Sequence, residues 1–271
     1  MKKERHLWQD YKAQIKANKL TFAVYITLRA LVVAAMVISC IRGDYENLFY
    51  CCLSLVLFLV PAFIETNFGI ELPGLLEVII LLFIFAAEIL GEMESYYTKV
   101  PNWDTMLHTI NGFLCAAVGF GMIDILNRNE KLKFEMSPLF LAIVAFCFSM
   151  TIGVLWEFYE FFCDMVFKTD MQKDYVLSTI STTYLSGNAK VPVVIDGIKT
   201  VTVNGKDLGL GGYLDIGLYD TMKDLFVNFI GAVVFSAIGY FYVKSRGNGR
   251  IAKHFIPKLR GKNKSDSPER E

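Results

Sequence analysis

Histidine is scarce in this chain: 271 residues contain three, and two of them, His6 and His254, lie in basic terminal segments. That scarcity, with no HExxH run, argues against a zinc centre built from imidazoles. The six cysteines (Cys40, Cys51, Cys52, Cys115, Cys147, Cys163) have no CxxC spacing. They sit in or beside apolar runs, where cysteine behaves as a small buried hydrophobe. A disulfide from Cys40 to Cys51 or Cys52 is conceivable, but nothing in the spacing requires it. Net charge is also missing, with 27 basic residues against 27 acidic, so no global basic field draws in nucleic acid. The chain shows no arginine-rich phosphate clamp and no Ser/His/Asp arrangement. No small-residue cleavage site follows the first apolar run, which therefore reads as a retained anchor rather than a removed signal peptide.

Apolar length is abundant. Hydrophobic residues make up 54% of the chain, with 22 Phe and 13 Tyr, and the mean hydropathy is +0.41, too apolar for an ordinary soluble domain. The expected fold is an all-α polytopic membrane protein. Its six spans are Phe22 to Ile41, Leu48 to Ile64, Gly74 to Gly91, Met106 to Ile125, Pro138 to Phe162 and Leu225 to Val243, each close to the roughly 20 residues that cross a bilayer core. Residues 1–20 form a basic N-terminal segment, an amphipathic surface helix or a solvated tail. Residues 21–245 form the membrane domain, and residues 246–271 a charged tail expected to be disordered. Six spans put both termini on one side, and the basic tails make that side cytoplasmic. Arg128, Lys131 and Lys133 after span four agree; the segment after span two, with Glu65 and Glu71 but no basic residue, gives no support.

The connection 164–219 between spans five and six then lies outside. Val191 to Ile195, the turn Asp196-Gly197, Ile198 to Val203, the turn Asn204-Gly205 and Lys206 to Leu208 read as a small β-meander. It either only joins two spans or acts as an external lid.

The functional candidates are acids that enter the membrane. Asp104 and His108 stand i, i+4 at the start of span four, on one helix face and about 6 Å apart along the axis. Glu88 and Glu92 close span three, Glu157 and Glu160 close span five with Asp164 beyond, and Asp220 and Asp224 open span six with Asn228 one turn further in. All fall within about two turns of the outer boundary, so one outer-leaflet layer can hold them. Each unpaired buried charge costs several kcal/mol and like charges raise one another's pKa, so protons, water or a metal must balance the layer. One histidine among many oxygens favours Mg²⁺, Mn²⁺ or Ca²⁺ over Zn²⁺. Asp104, His108, Glu157, Asp224, Glu88, Asp220 and Asn228 are the candidate ligands, with Glu160 or Glu92 as general base.

Blander roles compete residue by residue. Acids at span ends can face water, Asp104 and Asp220 can cap helices, and Trp103, Trp156 and Tyr219 fit an interfacial aromatic belt. Arg29, inside span one, either snorkels or pairs with Glu65 or Glu77. Gly112, Gly119, Gly121, Gly231 and Gly239 signal close helix packing.

Trp103-Asp104-x-x-Leu107-His108, Trp156-Glu157-x-x-Glu160 and Asp220-Thr221-x-x-Asp224 together resemble the YjdF-like group of bacterial six-span inner-membrane proteins, a family without an assigned activity. The resemblance runs from span three to span six. It implies a multi-pass protein of the bacterial plasma membrane and transfers no catalytic role. Membrane lipid is the expected partner, with a lipid-linked or small-molecule substrate on the outer side and no nucleic acid; oligomeric state is left open. Three functions compete. One is a metal-dependent hydrolase or transferase acting on a lipid-linked or phosphate-containing envelope substrate. A second is a transporter or binding protein for a divalent cation or cationic solute. The third is a non-enzymatic sensor or assembly factor.

Overall fold

A computed structural model of the chain describes residues 19–68, 70–127, 136–245 and 254–259. The expected N-terminal surface helix, the basic connection around Arg128 to Lys133 and most of the C-terminal tail lie outside the described residues. Six described helical stretches are long and apolar enough to cross a membrane: Lys19–Arg42, Tyr45–Asn67, Gly74–Met93, Trp103–Asp124, Pro138–Phe167 and Leu218–Lys244. They match the six expected apolar runs, with the sixth beginning seven residues earlier than its hydropathy suggested. Leu31, Phe49, Leu139 and Phe241 stand exposed on these helices, as lipid-facing side chains must where hydrocarbon replaces water.

Local chemistry sets the breaks. Helix α1 (Lys19–Arg42) stops where Gly43 takes φ +70, a left-handed conformation that glycine adopts without steric cost. Asp44 then caps α2 (Tyr45–Leu57), accepting from the Asn47 amide at 3.1 Å and its side-chain nitrogen at 2.6 Å. The second span is interrupted before α3 (Val60–Phe68). Pro61 has no N–H to offer the Leu57 carbonyl, and the chain turns instead through Leu59 N–H to Val56 O at 3.0 Å. After strand β1 (Ile70–Glu71), α4 (Gly74–Phe85) runs into a π-helical segment, Ala86–Met93, that completes the third span. A short α5 (Tyr96–Lys99) precedes α6 (Trp103–Asn127). Ser137 caps α7 (Pro138–Phe167) by accepting from the Phe140 amide at 3.2 Å, with proline at the first helical position, where its missing N–H costs nothing. Six short strands follow, β2 (Val176–Leu177), β3 (Ile180–Thr182), β4 (Val193–Ile195), β5 (Thr202–Val203), β6 (Lys206–Asp207) and β7 (Tyr213–Leu214), then α8 (Leu218–Lys244) and β8 (Lys258–Leu259).

The chain divides into two compact units, Met1–Thr151 with Val227–Glu271, and Ile152–Phe226. The first carries the hydrophobic core. Val32, Phe58, Leu76, Leu81, Phe120, Leu141 and Phe235 are almost wholly buried there, and Phe113, Phe120 and Phe235 meet edge to face. Within it α6 and α8 approach so closely that a Cβ on Gly231 would lie 2.0 Å from the Thr109 carbonyl, and one on Gly112 2.1 Å from the Asn228 carbonyl. The small-residue packing expected from these glycines is therefore backbone-to-backbone. Arg29 stacks over the Tyr25 ring at 4.2 Å, a cation–π contact between i, i+4 neighbours on one helix face.

Part of the tail expected to be disordered is built into this unit. Strand β8 pairs antiparallel with β1, Ile70 opposite Leu259 and Glu71 opposite Lys258, and Ile256 is 2% exposed.

The second unit contains the strand-rich connection, and its pairing differs from a meander. Only the Asn204-Gly205 turn makes the expected hairpin, β5 with β6, with φ of +51 and +81 at the two turn residues. Strand β4 pairs backward with β3 and β2 pairs with β7. Asp196-Gly197 therefore leads into Ile198, whose amide reaches the Ser178 carbonyl at 2.8 Å. The short apolar run Val191 to Ile195 marked β4 but carried no information about its partner.

Candidate functional site

In the first unit the Asp104–His108 pair forms as spaced. His108 Nε2 lies 3.4 Å from Asp104 Oδ1, and both belong to α6. His108 is 8% exposed. Asp104 is the second residue of the helix, and its carboxylate is directed to the histidine one turn on. A proton on Nε2 facing the carboxylate leaves the Nδ1 lone pair for a cation, the arrangement by which carboxylates orient ligating imidazoles. One to two turns deeper, Asn111 Nδ2 donates to Asn228 Oδ1 at 3.3 Å, Cys115 Sγ to Asn111 Oδ1 at 3.4 Å, and Asn228 Nδ2 reaches Met150 Sδ at 3.6 Å. Ser149 donates to the Gly112 carbonyl at 2.7 Å. Asn228, 1% exposed, is thus held by neighbours that join α6, α7 and α8, the role of polar glue between membrane helices.

Glu88 and Glu92 lie on the π-helical segment. Such segments recur at functional sites because the wider turn re-aims side chains. Glu92 is exposed and Glu88 half-buried, and Glu92 is the hydrogen-bond partner of the Tyr50 hydroxyl. Trp103 packs edge-on against Tyr96 at 4.9 Å.

In the second unit five acids are buried: Glu157 at 4% exposure, Glu160 at 8%, Asp215 at 7%, Asp220 at 4% and Asp224 at 1%. Glu157 and Glu160 belong to the last turns of α7, Asp220 and Asp224 to the first turns of α8. Trp156 Nε1 donates to Glu160 Oε1 at 2.9 Å, so this indole has a polar task. Asp220 accepts from the Lys173 amide at 2.8 Å and lies 3.8 Å from Lys223 Nζ. Lys223, two residues ahead of the apolar run that begins at Leu225, is a helical residue placed against an acid. Its Nζ also lies 3.2 Å from the Tyr175 hydroxyl.

Sequence reading missed the brace that holds this connection. Asp164 accepts from Thr169 Oγ1 and the Met171 amide, each at 2.7 Å, and from the Gln172 amide at 2.9 Å. Asp215 accepts from the Tyr175 amide at 2.6 Å and the Tyr219 amide at 3.0 Å, tying the start of α8 to the segment after α7. Gln172 Nε2 donates to Thr221 Oγ1 at 2.6 Å. Asp215 stands two residues ahead of the N-cap position, Gly217, so the capping rule does not find it, although its carboxylate accepts from an amide of the first helical turn. Asp174 and Asp196, in the same connection, are shifted in opposite directions. Burial, then Asp170, Asp215 and Asp164, push Asp174 up. Thr179 Oγ1 and the Gly197 amide donate to Asp196 and hold it below the ordinary carboxylate range.

Six apolar helices carrying paired ionisable side chains define a multi-pass membrane protein. The chain belongs to the DUF2238 family, described as predicted membrane protein, which matches residues 24–245. No curated protein and no solved structure matches the chain.

Proposed function

We propose that this family member holds a divalent cation, Mg²⁺, Mn²⁺ or Ca²⁺, at the outward ends of its spans. The ion would serve hydrolysis or group transfer on a lipid-linked or phosphate-containing substrate of the bacterial plasma membrane. The observation that carries the reading is the Asp104–His108 pair, a buried imidazole turned toward a carboxylate at 3.4 Å in a membrane helix. Ionisable groups are retained in spans at a cost and are functional by default. Glu157, Asp220 and Asp224, expected from the sequence as further ligands, carry oxygen donors of the kind these hard cations prefer. Such an ion would polarise a phosphoryl or carbonyl oxygen and lower the pKa of bound water, and Glu160 or Glu92 would be the carboxylate to take the proton.

A second reading is transport or binding of a divalent cation or cationic solute. The polar side chains that continue inward from His108, namely Asn111, Cys115 and Asn228, favour it. Metal analysis of purified wild type beside His108→Ala and Glu157→Gln tests the shared premise. Loss of a specifically bound divalent ion in either variant supports the site, and unchanged stoichiometry in both overturns it. Flux of that ion into liposomes, abolished by the same substitutions, decides for transport over chemistry.

A further inference from the structure

Span one carries a charge inside its apolar run. Between Phe22 and Ile41 of α1 every residue is uncharged except Arg29, whose Cα lies about 10 Å past Phe22 at the ordinary helical rise. The guanidinium carbon sits 4.2 Å from the centre of the Tyr25 ring, one turn nearer the N-terminus. The side chain therefore leans back toward the nearer end of the span, the direction helical side chains take and the one in which an arginine snorkels. At the level of Tyr25 the charge is about 5 Å inside the end of the apolar run, within reach of a lipid phosphate.

Among the described residues no carboxylate balances this charge. Nε is shut off from solvent and donates to nothing. Neither Glu65 nor Glu77, the acids that sequence offered as partners, closes an ion pair with Arg29 among the described residues; Glu65 Oε1 instead accepts from the Leu72 amide at 2.8 Å. The Tyr25 ring supports the guanidinium but brings no counter-charge, and an intramembrane cation without one is costly to keep. Arg29 is half-buried rather than enclosed, so a ligand can reach it from outside. A guanidinium seated on an aromatic ring offers a fork of N–H donors that suits an oxyanion, and phosphate is the oxyanion that a bilayer supplies at this depth. Lys12, Lys16 and Lys19 precede the run in sequence, and basic residues beside a span draw anionic headgroups to it.

We propose that Arg29, positioned by Tyr25, binds the phosphate of an anionic phospholipid in the leaflet at the N-terminal end of span one. The contacts that carry the site lie in the first unit. It holds whichever way the chain is oriented and does not depend on a metal at His108.

The test uses the full chain in detergent micelles supplied with equal amounts of phosphatidylglycerol and phosphatidylcholine, with the lipid carried by the intact protein counted by native mass spectrometry. Wild type should retain phosphatidylglycerol in preference, and Arg29→Gln should lower that retention about fivefold, the worth of one basic side chain at an anionic membrane surface. Should Arg29→Gln not fold, Arg29→Met, an unbranched apolar side chain suited to a span, takes its place with the same expectation. Phosphatidylglycerol retained as in wild type by a folded variant of either kind overturns the site, as does equal retention of the two lipids by wild type. Displacement of the lipid by inorganic phosphate overturns the membrane as the source of the anion. Glu4→Gln with Asp10→Asn, which removes the acids of the N-terminal segment, should leave retention unchanged; a rise would overturn the proposal by showing that an acid of this chain already holds Arg29.

Discussion

His108 and Asp104 stand one turn apart on α6 with Nε2 and Oδ1 separated by 3.4 Å. The carboxylate fixes which ring nitrogen carries the proton, and with it which nitrogen can ligate. Asp104→Asn keeps an oxygen at this position but removes the charge that favours the Nε2–H form. Affinity for Mn²⁺, measured by isothermal titration, should fall by about 10–100-fold, the usual effect of losing a carboxylate beside a ligating histidine. His108→Ala should abolish the specific site. Equal Mn²⁺ affinity in wild type and Asp104→Asn would show that the pair is only a local ion contact.

Close approach of α6 and α8 makes a stability prediction. Gly231→Ala places a methyl 2.0 Å from the Thr109 carbonyl and 2.8 Å from the Phe113 nitrogen. Backbone cannot rotate aside as a side chain does, so the helices must separate, at a cost of about 1–3 kcal/mol typical of overpacking. Thermal unfolding in detergent should show a midpoint several degrees lower. Gly187→Ala is the comparison: nothing lies within 4 Å of its Cβ, but φ is +64, so its smaller penalty, about 1 kcal/mol, comes from the left-handed backbone alone. A Gly231→Ala protein as stable as wild type would mean that the two backbones are not in contact.

The six spans were legible because hydrocarbon demands long apolar runs, and no packing detail is needed to see them. The Asp104–His108 pair was legible for a similar reason, since i, i+4 spacing fixes proximity within one helix. Features that depend on partners far along the chain were not. Strand β4 announced itself through Val191 to Ile195, but its pairing with β3 rather than β5 lies in tertiary contacts. The π-helical turn at Ala86–Met93 has no residue signature. The docking of Phe255-Ile256-Pro257 was hidden by its length, because three apolar residues in a charged tail fall below any window that detects a span. Lys223 was misplaced because α8 starts at Leu218, on polar residues whose helicity is set by Asp215 and Gly217 rather than by hydropathy.

Two acids of the strand-rich connection should titrate in opposite directions. Asp196 is held down by the Thr179 hydroxyl, then by the Gly197 amide. A depressed acid contributes stability that is present above its unfolded value and is lost as pH falls through the folded one. Asp174 is pushed up by burial and then by Asp170, Asp215 and Asp164. Its ionised form is disfavoured in the folded state, so its contribution worsens as pH rises from the ordinary carboxylate value through the raised one. Carboxyl carbon shifts followed by NMR between acid and neutral pH should show Asp196 ionising first and Asp174 last. Thr179→Val should move Asp196 upward and leave Asp174 in place; an Asp196 titration unchanged by that substitution would remove the Thr179 hydroxyl as its cause.

Orientation carries the proposal that the acids face outward, and the Asn204-Gly205 hairpin provides its test. Asn204 is exposed at φ +51 in a turn between β5 and β6, so a cysteine there can react without disturbing the helices. Basic residues crowd both ends of the sequence, and an even number of spans then places the connection on the opposite, outer side. In intact cells a cysteine introduced by Asn204→Cys, in a chain with its native cysteines replaced, should react with an impermeant maleimide without permeabilisation. A cysteine placed by Ser265→Cys in the basic tail should react only after the membrane is opened. The reversed pattern would turn the connection and the first turns of α8 toward the cytoplasm. Asp220 and Asp224 would then meet cytoplasmic solutes, and an envelope substrate would have to be abandoned in favour of a cytoplasmic one.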